Sequence, residues 1–72
     1  MPNALKEVTE ETFNAILNKL KAKGHTVSKE TYSYSDDIDY FIKNERVAIS
    51  YFSFAKGNNV YYINEKYMKE EA

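Results

Sequence analysis

The 72-residue chain has no cysteine, one proline, two glycines and, among its basic residues, a single arginine, Arg46, the rest being lysine. Without cysteine, neither a disulfide staple nor a thiolate metal site is available. There is no glycine-rich phosphate loop and no serine in a nucleophile-elbow context, so phosphoryl transfer and nucleophilic catalysis have no visible constellation. Apolar runs fall well short of the ~18–20 residues needed to cross a bilayer. The opening Met1-Pro2-Asn3-Ala4-Leu5-Lys6 also lacks the regions of a signal peptide, so a cytoplasmic protein with no membrane partner is expected. A formal net charge of −1 excludes a strongly basic nucleic-acid binder and a strongly acidic DNA mimic alike.

At this length there is room for a single small domain over residues 1–72. Burying a Leu, Ile or Phe side chain contributes roughly 1.5–3 kcal/mol, and ordering each residue's backbone costs about 1–2 kcal/mol, so the margin is thin. Close packing or association with a second chain remains as the source of extra stability.

Ile38 to Phe54 carries the strongest pattern, two β-type runs joined by a short polar link. A two-residue turn at Asn44-Glu45 sets Ile42 against Val47, Tyr40 against Ile49 and Ile38 against Tyr51. The alternate face then holds Phe41, Ala48, Asp39, Ser50, Asp37 and Phe52. Upstream, Val8-Thr9-Glu10-Glu11-Thr12-Phe13 is a helix start, with Thr9 as cap, Glu10 and Glu11 favoured by the dipole, and Val8 stapled on Phe13. Phe13, Ile16, Leu17 and Leu20 make one apolar stripe. Lys19, Lys21 and Lys23 suit the helix end, and Gly24 suits its left-handed cap. One strand, bulged or not, is expected between His25 and Tyr34, with a connection through Ser35-Asp36-Asp37 of two or three residues. A two-residue loop puts Tyr32 and Tyr34 together on the face of Phe41 and Phe52, and a three-residue loop turns both toward Ile38 and Tyr40. A five-residue loop, Ala55 to Asn59, leads into a last strand, Val60-Tyr61-Tyr62-Ile63, pairing Tyr51 with Ile63 and Phe52 with Tyr62. Asn64 is placed to cap a short C-terminal helix, and a frayed tail is the alternative.

The expected fold is α+β, one N-terminal helix packed on a four-stranded antiparallel β-meander, with that short terminal helix optional. One helix covers one face. Phe41, Phe52, Phe54, Val60 and Tyr62 are left on the other, a composition typical of contact anchors. The ordinary alternative is that the tail, through Tyr67 and Met68, folds back over them.

Asp36, Asp37 and Asp39 form an acidic cluster. Such spacing can hold a divalent cation, but the further oxygen ligands of a calcium loop are missing, and a solvated turn or an acidic rim facing a basic partner fits better. His25, the only histidine, follows the cap glycine, where an imidazolium favours the last helical carbonyls; general acid or base work would need a partner and a pocket.

These features predict a non-enzymatic protein-protein interaction module with no cofactor and no metal. Its expected contacts are Phe41, Phe52, Phe54, Tyr62, Asp36, Asp37 and Asp39, and it acts as an inhibitor, an adaptor or a homodimer. The alternative is a single-stranded nucleic-acid-binding domain using the same rings for base stacking. The element order loosely resembles that of double-stranded-RNA-binding domains, without their basic motifs. In size and composition the chain resembles small accessory proteins of bacteriophages and mobile elements, which implies an inhibitor of a host or defence protein.

Overall fold

The computed structural model describes residues 4–68. The sequence predicts a mobile start to the chain and leaves a frayed tail as the alternative at its end; residues 1–3 and 69–72, on which these expectations partly fall, lie outside that range. Element order is β1 (Leu5–Val8), α1 (Glu10–Ala22), β2 (Val27–Tyr32), β3 (Ser35–Ile42), β4 (Glu45–Ser53), β5 (Asn58–Asn64) and α2 (Glu65–Met68). The fold is α+β, and its antiparallel sheet has five strands in the order β1-β5-β4-β3-β2. The extra strand is formed by the segment ahead of Thr9, which the sequence marks only as a short lead-in to the helix. Only four residues long and mostly exposed, β1 has no alternating apolar signal, and its pairing of Val8 with Tyr61 and Leu5 with Asn64 is supplied by the last strand of the chain.

Helix α1 forms as its sequence dictates. The Thr9 side chain accepts a hydrogen bond from the Thr12 amide at 3.1 Å, and Val8 packs on the core from the position before the cap. At the other end Gly24 takes φ +99°, its amide donating to the Lys21 carbonyl while the His25 amide donates to that of Leu20. This pair of bonds is the Schellman termination. Phe13, Ile16, Leu17 and Leu20 are all buried, joining Ile42, Val47, Ala48, Ile63 and Tyr67 in one cluster. Tyr67, on α2, therefore closes the helix side of the sheet and does not fold over the opposite face. Its hydroxyl lies 2.5 Å from Glu45 Oε1, and the Asn64 side chain accepts from the Lys66 amide to start the short helix.

The central hairpin departs from the expected register in two steps. The turn is Lys43-Asn44, so Ile42 pairs with Glu45 and Phe41 with Arg46; the next pair is Tyr40 with Ala48. Val47 is the extra residue of a bulge. Val47 and Ala48 are both fully buried on the helix side, and from there on β4 is turned over. Ser50 and Phe52 point to the helix side, while Ile49 and Tyr51, expected in the core, lie on the uncovered face with Tyr62 and Val60. The β4–β5 loop is also one residue shorter than expected, Phe54 to Gly57. Its shift cancels that of β4, so Ile63 still faces inward and Tyr62 outward.

The β2–β3 turn is Ser33-Tyr34, ahead of the expected position, which puts Asp36 and Asp37 inside β3. Pairing there passes from Thr31 with Ile38 to Tyr32 with Ser35, leaving both aspartates in an irregularity.

Candidate interaction surface

The uncovered sheet face is tied up by its own polar groups. Asp39, only 4% exposed, accepts at Oδ2 from the Tyr32 hydroxyl at 2.7 Å and from Arg46 at 3.4 Å. Its Oδ1 is buried without a hydrogen-bond partner. The bond to Asp39, reinforced by desolvation and the carboxylate charge, pushes the Tyr32 phenol up to about 12. Arg46 also lies 5.8 Å from the Phe41 ring centre, a cation–π distance. Further across, Tyr51 and Tyr62 stack with centroids 6.0 Å apart, and a hydrogen bond between their side chains raises the Tyr62 phenol. Lys56 reaches Glu7 at 2.8 Å, which raises the lysine. Of the residues expected as anchors, Phe41 and Tyr62 lie here half-buried, and Asp39 is a buried node of the network, not part of a rim.

Large exposed apolar surface is concentrated elsewhere. Antiparallel hairpins send successive connections to alternate ends of a sheet. The β2–β3 turn, the β4–β5 loop and the start of α1 therefore share one end, because β1 runs toward it (Val8 pairs with Tyr61, nearer the loop than Asn64). At this end Phe54 is 90% exposed, Tyr34 83% and Phe52 37%. Phe54 meets Phe52 edge to face, with centroids 5.1 Å apart. The loop that holds Phe54 is ordered by the Gly57 amide donating to the Ser53 carbonyl at 2.8 Å and the Lys56 amide donating to Ser53 Oγ at 3.2 Å. Gly57 takes φ +71°, a left-handed geometry that favours glycine.

Carboxylates frame these rings. Glu10 and Glu11 occupy the first turn of α1, and Asp36 and Asp37 begin β3 beside the end of β4. Glu7 is matched by Lys56. The structure thus gathers Phe52, Phe54, Asp36 and Asp37 at one end and leaves Phe41, Tyr62 and Asp39 on the uncovered face. Tyr34 belongs with the first group and escaped the sequence reading, because its position depends on where the β2–β3 turn falls. The opposite end carries the exposed Lys21 and Lys43 near the end of α1 and the β3–β4 turn, together with His25 and the ion pair of Lys66 with Glu45. Among the described residues no group of three or more His, Asp or Glu side chains could hold a metal ion, and no helix is long and apolar enough to cross a membrane.

The chain matches no protein-family model, and comparison with the curated proteins and with the solved structures found no match.

Proposed function

We propose that this protein is a non-enzymatic interaction module that occupies a basic surface of a protein partner, as an inhibitor or adaptor does, using the aromatic loop end of its sheet. One observation carries this reading: Phe54, Phe52 and Tyr34 are exposed together at the end where Glu10, Glu11, Asp36 and Asp37 are concentrated. Clustered exposed rings lower the stability and solubility of a small domain unless a contact covers them, and aromatic anchors inside a charged rim are the usual composition of a contact surface. The rim's charge selects a partner of opposite sign and speeds encounter.

Nucleic acid fits this end poorly, since its carboxylates would face phosphates. On the uncovered face the stacked Tyr51 and Tyr62 offer π surfaces, but the nearby cations Arg46 and Lys56 are already engaged by Asp39 and Glu7.

The test is affinity capture from the native host with the wild-type chain, Phe54→Ser and Tyr62→Ser. Wild type and Tyr62→Ser are expected to retain the same protein and Phe54→Ser to lose it. Capture that survives Phe54→Ser and fails with Tyr62→Ser would move the contact to the sheet face. A labelled single-stranded oligonucleotide retained at low salt would replace the protein reading altogether.

A further inference from the structure

The end opposite the aromatic loop holds a surface hollow of about 460 Å³ lined by the buried Ile42 and Tyr67, the exposed Lys43, Asn44 and His25, and the ion pair of Lys66 with Glu45. It is the complement of the loop end: an apolar floor with Lys43 at its rim, where the other is an apolar knob with an acidic rim. We propose that this hollow receives the Phe54 loop of a second copy of the chain, so that the protein associates head to tail.

Three features on the molecule support that occupant. The knob is large and rigidly held, since Phe54 rests on Phe52 and its loop is closed by hydrogen bonds to Ser53. The charges match across the contact, with Asp36, Asp37, Glu10 and Glu11 meeting Lys43 and Lys21 on the neighbour. Finally, knob and hollow lie at opposite ends of the strands, so a copy seated at one end leaves the other end free. A contact between unlike surfaces does not close on itself as a two-fold dimer does, and repeats along a chain of copies or around a ring. Glu45 sits in the hollow already bonded to Lys66 and Tyr67, so that this ion pair adds no net charge and Lys43 sets the sign of the rim.

The inference rests on the proposal that the loop end binds protein, and a complementation experiment separates the two. Phe54→Ser removes the knob at a position with little structural role. Lys43→Asp reverses the rim of the hollow at an exposed turn residue whose φ of +57° aspartate tolerates. Circular dichroism confirms that each variant is folded. In sedimentation velocity at low salt the wild-type chain is expected to gain mass steadily with concentration, and each variant alone to stay monomeric. Mixed in equal amounts, the variants are expected to form a dimer and nothing larger, because one intact knob and one intact hollow remain between them. A wild-type chain monomeric at millimolar concentration, variants that associate as wild type does, or a mixture that stays monomeric would each overturn head-to-tail association. If partner capture is still lost in Phe54→Ser under any of those outcomes, the loop end remains a binding surface for another protein.

Discussion

The bulge at Val47 makes a quantitative claim about two isoleucines. Ile63 is fully buried between sheet and helix, whereas Ile49, past the bulge, is half-buried on the uncovered face. Truncating a fully buried isoleucine to alanine costs about 2–5 kcal/mol, combining lost transfer energy with the cavity left behind. Ile49→Ala removes the same carbons from a site that is partly hydrated and leaves no closed cavity. At about 0.8 kcal/mol per fully buried methylene and half that here, its cost is about 1 kcal/mol. The two variants should therefore differ by about 2 kcal/mol. A domain of this size holds only about 3–5 kcal/mol in total, so Ile63→Ala should be left marginally stable while Ile49→Ala keeps most of its stability. Urea titration followed by far-ultraviolet circular dichroism reads the difference. With an m-value of about 1 kcal/mol/M, the midpoints should lie about 2 M apart. Equal costs would refute the bulged register, because in the unbulged pairing Ile49 faces the helix just as Ile63 does.

Three further outcomes follow from the polar network and the helix ends. Tyr32 should ionise near pH 12 in an alkaline titration followed by ultraviolet absorbance, well above an ordinary phenol, and Asp39→Asn should bring it down toward the ordinary value. Because its pKa is raised on folding, the stability it contributes is complete below the unfolded phenol's pKa of about 10 and is lost as pH rises from there through the folded value. Glu45 behaves in the opposite sense: hydrogen bonds from Tyr67 and then Lys66 lower its pKa. Its contribution is present above the ordinary glutamate value and is lost as pH falls through the depressed one, so acid should loosen α2, and Glu45→Gln should flatten that dependence in Tyr67 NMR line shapes. Gly24→Ala meets no side chain or backbone within 4 Å, so its cost is purely the strain at φ +99°. It should destabilise by about 1–2 kcal/mol in thermal melts.

Elements whose signals are local were legible from the chain alone. The cap at Thr9, the packing of Val8 on the core just ahead of it, the stripe through Leu20 and the glycine stop all lie along one stretch of chain, and each acts through bonds or contacts at one helix. Ile42, Val47 and Ile63 are likewise core residues by sequence pattern, and all three are buried. What misled was the phase of β4. One extra residue at Val47 turned over every side chain after it, bringing Ala48 inward and moving Ile49 and Tyr51 out and Phe52 in. Nothing between Arg46 and Phe52 announces that step. It gives the buried cluster the small Ala48 and lets the Tyr51 ring stack on Tyr62, and both gains depend on other strands.

The candidate site divides in the same way. Composition picked out aromatic and acidic residues as contact groups without saying which of them would stand together. Turn positions and strand order decided that, carrying Phe54, Phe52, Tyr34, Asp36 and Asp37 to one end and sinking Asp39 beneath Tyr32 and Arg46. The sequence by itself determined one amphipathic helix, an antiparallel sheet and a chain with no covalent staple, because those follow from spacing and residue type. Only the tertiary structure decided the fifth strand, the face of each residue past Val47 and the grouping of exposed rings with carboxylates. Those depend on pairing between segments far apart in the chain, where a shift of a single residue exchanges inside for outside.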